Sequence, residues 1–202
     1  MENNPLHPEQ GTHEITFSRN LWIEAEDFLP APVPKYKRLY PGNEVRLKGA
    51  YLVTCTGCET DENGNVKRVL CEYDPDSRGG NPADGRKVKG ATIHWVDSNN
   101  AVDAEVRLYS NLFTDPEPDV AGKNYLDFIN PDSLQVLTGC KVERALVAEA
   151  EAFDKLGQAR TAQTAPCFQF MRVGYFCMDN RDCRADRLVF NRSVLLKDSF
   201  KF

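Results

Sequence analysis

The 202-residue sequence is poor in histidine and has no long apolar run, and both shortages limit what the chain does. Its three histidines are His7, His13 and His94. Two lie in a polar opening stretch, and the third stands beside Trp95 in strand-like sequence, where a packed histidine is the expected outcome. There is no G-x-S-x-G elbow, P-loop or glycine-rich dinucleotide fingerprint. The carboxylates are scattered along faces read as exposed, so no active site is expected. No apolar stretch approaches the roughly 20 residues that span a bilayer. The opening MENNPLHPEQ lacks the apolar segment of a signal peptide, so a cytosolic protein is expected. Internal repeats and low-complexity tracts are missing too.

The seven cysteines are an odd number, which fits reduced, buried thiols better than a secreted disulfide framework. Cys55 and Cys58 form one C-x-x-C, with Cys71 thirteen residues further on, but no second such pair exists. On a strand, positions three apart point to opposite faces, so the pair is read as structural and no metal is expected. Hydrophobic residues make up 41% and charged residues 27%, ordinary for a folded chain. The net charge of −5 argues mildly against nucleic acid, yet affinity for phosphate depends on local patches and not on the sum.

The pattern along the chain is mainly β. Residues 1–14 read as a polar arm, a strand is expected around Leu21 to Ile23, and the proline cluster at 29–34 punctuates the chain. In EVRLKGAYLVTC, 44–55, Val45, Leu47, Tyr51 and Val53 recur at period two, with Arg46 and Lys48 on the other face. Asn63-Gly64 marks a hairpin before VKRVLCEY. After a glycine- and proline-rich loop at 75–85, KVKGATIHWV and AVDAEVRLY read as strands. So do SLQVLTGCKV, CFQFMRVGYFCMD and LVFNRSVLL, whereas 143–162 is rich in helix formers. Short strands with tight turns predict small antiparallel barrels.

One run stands apart in charge. Between residues 35 and 48, Lys35, Lys37, Arg38, Arg46 and Lys48 face a single acid, Glu44, and are interleaved with Tyr36 and Tyr40. Cations that neutralise phosphate beside aromatics that stack on bases suit single-stranded RNA. The alternative is a solvated strand face, and the window alone does not decide. A second run, Arg86, Lys87 and Lys89, also fits an edge strand guarded by lysines. A third group, Arg172, Arg181, Arg184, Arg187 and Arg192, is diluted by Asp179, Asp182 and Asp186.

The run KYKRLYPGNEVRLKGAY, 35–51, resembles the anticodon-binding part of glutaminyl-tRNA synthetases. The likeness extends through NGN at 63–65, EYDPD at 72–76, PADGRKVKG and TIHWV within 82–96, and EVRLYSNLF at 105–113. It continues with INPDSL at 129–134, FQF and GYFC around Arg172, and VFNR at 189–192, in the family's order. The related glutamyl enzymes share the architecture. The resemblance implies two β-barrels, a distal one at 30–109 and a proximal one from 1–29 plus 110–202, its first strand lying before Met1. It implies that Arg38, with Lys37 beside it, reads the third anticodon base, a guanine, and that Arg46 and Lys48 meet the first base and its phosphate. Gln169 would read the middle uracil through its amide, with Arg172 a further RNA contact and Lys35 standing where a glutamine is usual. Strand parity sets Gln169 and Arg172 on opposite faces unless a bulge or strand end intervenes.

The family's HIGH and KMSKS-like signatures are absent, so this chain is expected to be a non-catalytic piece of a longer ATP-dependent ligase. No cofactor is expected here; ATP and glutamine would belong to the catalytic core. The implied partners are glutamine-specific tRNA and that core, with a monomer expected. The competing readings are a stand-alone barrel binding other structured RNA or a protein, the equivalent region of a glutamyl enzyme, and a cysteine–zinc enzyme.

Overall fold

A computed structural model describes residues 1–196. Contacts divide the chain into a first unit, Met1–Asn100, and a second, Ala101–Phe202. The first unit carries six strands: β1 (Leu21–Trp22), β2 (Glu44–Leu47), β3 (Leu52–Thr60), β4 (Val66–Asp74), β5 (Thr92–Ile93) and β6 (Val96–Asp97). The order β4-β3-β2-β5 makes a four-stranded sheet, and β1 pairs with β6. The expected hairpin at Asn63-Gly64 joins β3 to β4. Gly64 takes a positive φ of 82°, and Asp61 accepts from the backbone N–H of Asn63 and Asn65 to fix the turn.

Period two decides what is buried. Val45 and Leu47 on β2 go inward, joined by Val53, Cys55, Ile93, Trp95, Phe28 and Leu39 in the first core. Ile15, Phe17, Leu21 and Ile23 pack on this same core, so residues before Phe28 belong with the first unit by contact. The sequence reading grouped 1–29 with 110–202; the contact division falls at Asn100 instead. Gly90 is where the chain crosses β2: a Cβ there would meet the Glu44 carbonyl oxygen at 1.8 Å. The expected long strand through KVKGATIHWV is therefore reduced to two short pieces, and His94 lies between β5 and β6 rather than within a strand.

The second unit is built on β7 (Val102–Tyr109), β8 (Leu134–Val142), β9 (Cys167–Phe170), β10 (Gly174–Met178) and β11 (Leu188–Val194). Its sheet order is β8-β7-β11-β10-β9, with the β7–β11 pair parallel. Phe176, Met178, Leu188, Val189 and Phe190 form its core. The helix expected over 143–162 is α1, Ala145–Asp154, which buries Ala150 and Phe153; the chain leaves the helix before Gly157. CFQFMRVGYFCMD, read as one strand, is a hairpin of β9 and β10. The chain is mainly β, as expected, but the described pairings run as open ladders and do not by themselves close a barrel. Among the described residues no helix is long and apolar enough to cross a membrane.

Candidate anticodon-binding surface

In the first unit the five basic residues of the 35–48 run lie on segments stitched together by residues 91–93. The Ala91 N–H donates to the Lys37 carbonyl at 2.8 Å, and the Arg46 N–H donates to the Ala91 carbonyl at 3.0 Å. The Lys48 N–H then donates to the Ile93 carbonyl at 3.0 Å. Backbone bonds thus bring Lys37, Arg46 and Lys48 into one region. Lys35 and Lys37 are exposed, while Arg38, Arg46 and Lys48 are half-buried.

Lys35 sits in a turn in which the Tyr36 N–H donates to the Val33 carbonyl at 3.1 Å. Pro34 holds the second position and Lys35 the third, with φ at 69°, a type II arrangement where glycine is usual. A left-handed lysine costs on the order of 1–2 kcal/mol. Arg38 follows, its side chain 32% exposed and its guanidinium tied to the segment before the proline cluster. Nη1 donates to the Glu26 carbonyl at 3.1 Å and lies 3.4 Å from Oδ1 of Asp27, a carboxylate with no exposed surface. Arg46 projects from β2 with its Nε donating to the Gly80 carbonyl. Gly80 has φ 83°, and a Cβ there would lie 2.7 Å from Arg46 Cγ and Cδ, so this approach needs glycine.

Glu44, the single acid of the run, is taken up by Arg86, whose Nη1 and Nη2 reach its two carboxylate oxygens at 2.5 and 2.6 Å. That fork raises the Arg86 guanidinium above its ordinary pKa. The second basic run therefore removes the negative charge from the first, and Lys87 and Lys89 stay exposed beside it. Charge counting along the sequence had no signal for this pairing, because the partners are 42 residues apart.

In the second unit Gln169 is exposed on β9, directly opposite Tyr175 on β10. Arg172 occupies the hairpin turn, where the Val173 N–H donates to the Phe170 carbonyl at 2.9 Å and φ of Arg172 is 65°. Parity along a single strand had set these two residues on opposite faces. The strand end removes that constraint, since a turn residue is not bound to either face. Among the described residues Lys35 and Arg172 are the two non-glycine positions with positive φ. Both were expected as RNA contacts, and left-handed strain of this kind concentrates at working sites.

Three other arginines of the second unit, Arg107, Arg160 and Arg187, are engaged internally. Arg107 donates to Glu105 at 2.8 Å, Asp179 at 3.3 Å and Asp182 at 2.6 Å, and Arg187 reaches Glu105 at 3.0 Å. Arg160 bonds Asp154 at 2.6 Å and the Cys183 carbonyl at 2.7 Å while its guanidinium lies over the Phe153 ring. Hydrogen bonds from Arg187 and Arg107 hold Glu105 below the usual carboxylate range. Burial would raise Asp179, but hydrogen bonds from Asn191 and from the Asp182 and Arg181 N–H groups outweigh it, and its pKa is lowered.

The cysteines contain a correction of their own. The register of β3 on β4 slips between Cys55 and Gly57, so Thr56 is an extra residue. Cys55 and Cys58 consequently both turn toward the first core, against the parity expectation. Cys55, which is buried, faces Cys71, which is exposed, across the strands. Among the described residues no group of three or more His, Cys, Asp or Glu is arranged to hold a metal ion.

Two family models match the chain, each described as the anticodon-binding domain of class I tRNA synthetases (E and Q), over residues 1–74 and 92–179. A glutamine–tRNA ligase of Vibrio cholerae (Classical Ogawa 395) is 49% identical over 200 residues, covering 99% of this chain and 33% of the relative. The glutamine–tRNA ligase of Clostridioides difficile strain 630 is 47% identical over 201 residues, 100% of this chain and 34% of the relative. That of Aliivibrio fischeri MJ11 is 47% identical over 198 residues, 98% and 33% respectively. The chain spans about a third of the length of these relatives. Its matched residues take in Lys35 to Lys48 as well as Gln169 and Arg172, and the chain belongs to the anticodon-binding domains of the class I tRNA synthetases for glutamate and glutamine.

Proposed function

We propose that this chain reads the anticodon of glutamine-specific tRNA on behalf of a glutamine–tRNA ligase whose catalytic core lies outside it. ATP and glutamine are handled by that core, and the chain contributes tRNA selection alone. The observation that carries the reading is the basic run at 35–48, whose one acid is neutralised by Arg86 while Lys35 and Lys37 stay in solvent. An acidic protein thereby keeps a local electropositive surface, which is what phosphate attraction needs.

The residue roles are those the family resemblance implies, and the side-chain chemistry suits them. Arg38 offers a planar fork to the edge of the third-base guanine. Arg46 and Lys48 meet the first base and its phosphate, with Lys37 adding charge. Gln169 presents donor and acceptor together, which suits the middle uracil, and Tyr175 beside it is an aromatic surface for stacking. Lys35, exposed in its left-handed turn, meets the RNA backbone, and Arg172 is a further contact of the β9–β10 turn. Filter binding of the chain to glutamine tRNA and to unrelated tRNAs, at low and moderate salt, tests this. Binding should weaken steeply with salt and favour glutamine tRNA. Arg38→Ala should cost roughly 1–3 kcal/mol on the cognate RNA. Equal binding of all tRNAs would contradict the reading.

A further inference from the structure

We infer that Asp27 is a positioning residue that orients Arg38 for its base, an inference that rests on the anticodon reading of Arg38 proposed above. The sequence attaches no role to the stretch between the strand expected around Leu21 to Ile23 and the proline cluster at 29–34. In the structure it is the bed on which the recognition segment lies. Ala25–Asp27 forms one 3-10 turn, closed by the Asp27 N–H donating to the Glu24 carbonyl at 2.9 Å. The Leu39 N–H donates to the Asp27 carbonyl at 2.9 Å, and the Leu29 N–H donates to the Leu39 carbonyl at 3.0 Å. Asn43 Nδ2 donates to the Arg38 carbonyl at 2.7 Å, so the backbone on either side of Arg38 is fixed.

The side chains are held by the same bed. The Glu26 carbonyl accepts from both Tyr36 Oη, at 2.8 Å, and Arg38 Nη1, at 3.1 Å. Oδ1 of the fully buried Asp27 lies 3.4 Å from that same Nη1, whereas the Glu26 carboxylate is 3.8 Å away and 90% exposed. Water screens the exposed acid and not the buried one, so Asp27 supplies the directional pull. One corner of the guanidinium is thus occupied by protein. The edge formed by Nε and Nη2 is left to make the pair of parallel hydrogen bonds that a guanine O6/N7 edge accepts. A flexible arginine binds any phosphate; an arginine anchored at one corner presents its fork in one direction. Asp27 therefore acts on which base is accepted more than on how tightly RNA is held.

A double-mutant cycle on the 202-residue chain tests this. Asp27→Asn keeps the shape and removes the charge. It is compared with Arg38→Ala and with the double variant for binding to an anticodon stem-loop ending in guanine and to one ending in adenine. The wild type should prefer the guanine loop, and Asp27→Asn should shrink that preference by at least about fivefold. The same change in an Arg38→Ala background should do nothing more. An unchanged preference in folded Asp27→Asn, or a further loss in the Arg38→Ala background, overturns the role of Asp27. If Arg38→Ala itself leaves the preference intact, the reading of Arg38 fails and Asp27 has nothing to position. In case Asp27→Asn does not fold, nitrogen NMR of the wild-type Arg38 guanidinium gives an independent readout. Separate Nη1 and Nη2 resonances before RNA is added are expected, and averaged ones overturn the proposal.

Discussion

The two units use their cations in opposite ways. In the second unit three arginines are turned onto acids: Arg107 bridges Glu105, Asp179 and Asp182, Arg187 reaches Glu105, and Arg160 closes on Asp154 and two carbonyls. In the first unit Lys35 and Lys37 of the 35–48 run stay in solvent, and the only acid of that run is taken by Arg86. The count of basic residues in a window says little about the charge a surface presents; it also depends on what each side chain already holds, as Arg38 holds Asp27 and Arg86 holds Glu44. Each unit also keeps one cation in a left-handed turn, Lys35 in the first and Arg172 in the second.

The sharpest way to break this comparison is to remove the hub of the second unit. Arg107→Ala strands Glu105 and Asp179 with less compensation and should cost about 3 kcal/mol of stability in urea unfolding. A loss below a few tenths would mean that the network contributes nothing. Acid probes the same network. Glu105 and Asp179 have folded pKa values below their unfolded ones, so their stabilisation is complete above the ordinary carboxylate range. It is lost as pH falls through the depressed folded values. Unfolding followed from pH 7 downward should steepen below about pH 4, and Asp179→Asn should flatten that fall.

Substitutions in the first unit should act on RNA more than on stability. Gly80→Ala places a Cβ against Arg46 at a φ only glycine tolerates well, so it should cost about 2 kcal/mol and weaken RNA binding together. Lys35→Gly relieves a left-handed lysine and should stabilise by up to about 1 kcal/mol while lowering RNA affinity. Smallest of all, Lys37→Ala should leave stability within about 0.5 kcal/mol of wild type, as exposed positions do, and lower affinity for all RNAs alike. Calorimetry and filter binding read both quantities on one sample. A lysine variant that destabilised as much as Arg107→Ala would erase the distinction between the units.

Much of this was legible in the residues. The strand-like AVDAEVRLY foretold β7, and Asn63-Gly64 foretold the β3–β4 turn, because period and turn chemistry are local. The β9–β10 hairpin was not legible: its turn, Met171-Arg172-Val173, holds none of the residues that normally mark a positive φ. The same omission misjudged the relation of Gln169 to Arg172. Thr56 likewise hid a bulge that reverses the facing of Cys58. Among candidate site residues, charge and type pointed to Arg38 and Arg46 without showing what fixes them. Asp27 and Gly80 carry no signal in their own neighbourhoods, since each meets its arginine only across a fold-dependent gap.

The most direct test of the central claim is an NMR titration of the isotope-labelled chain with a stem-loop carrying the glutamine anticodon. The largest amide shifts should fall on Lys35 to Arg38, Arg46 and Lys48 in one unit and on Gln169 and Arg172 in the other. Shifts centred instead on α1 or on the Arg107 network, with the 35–48 run silent, would contradict the account.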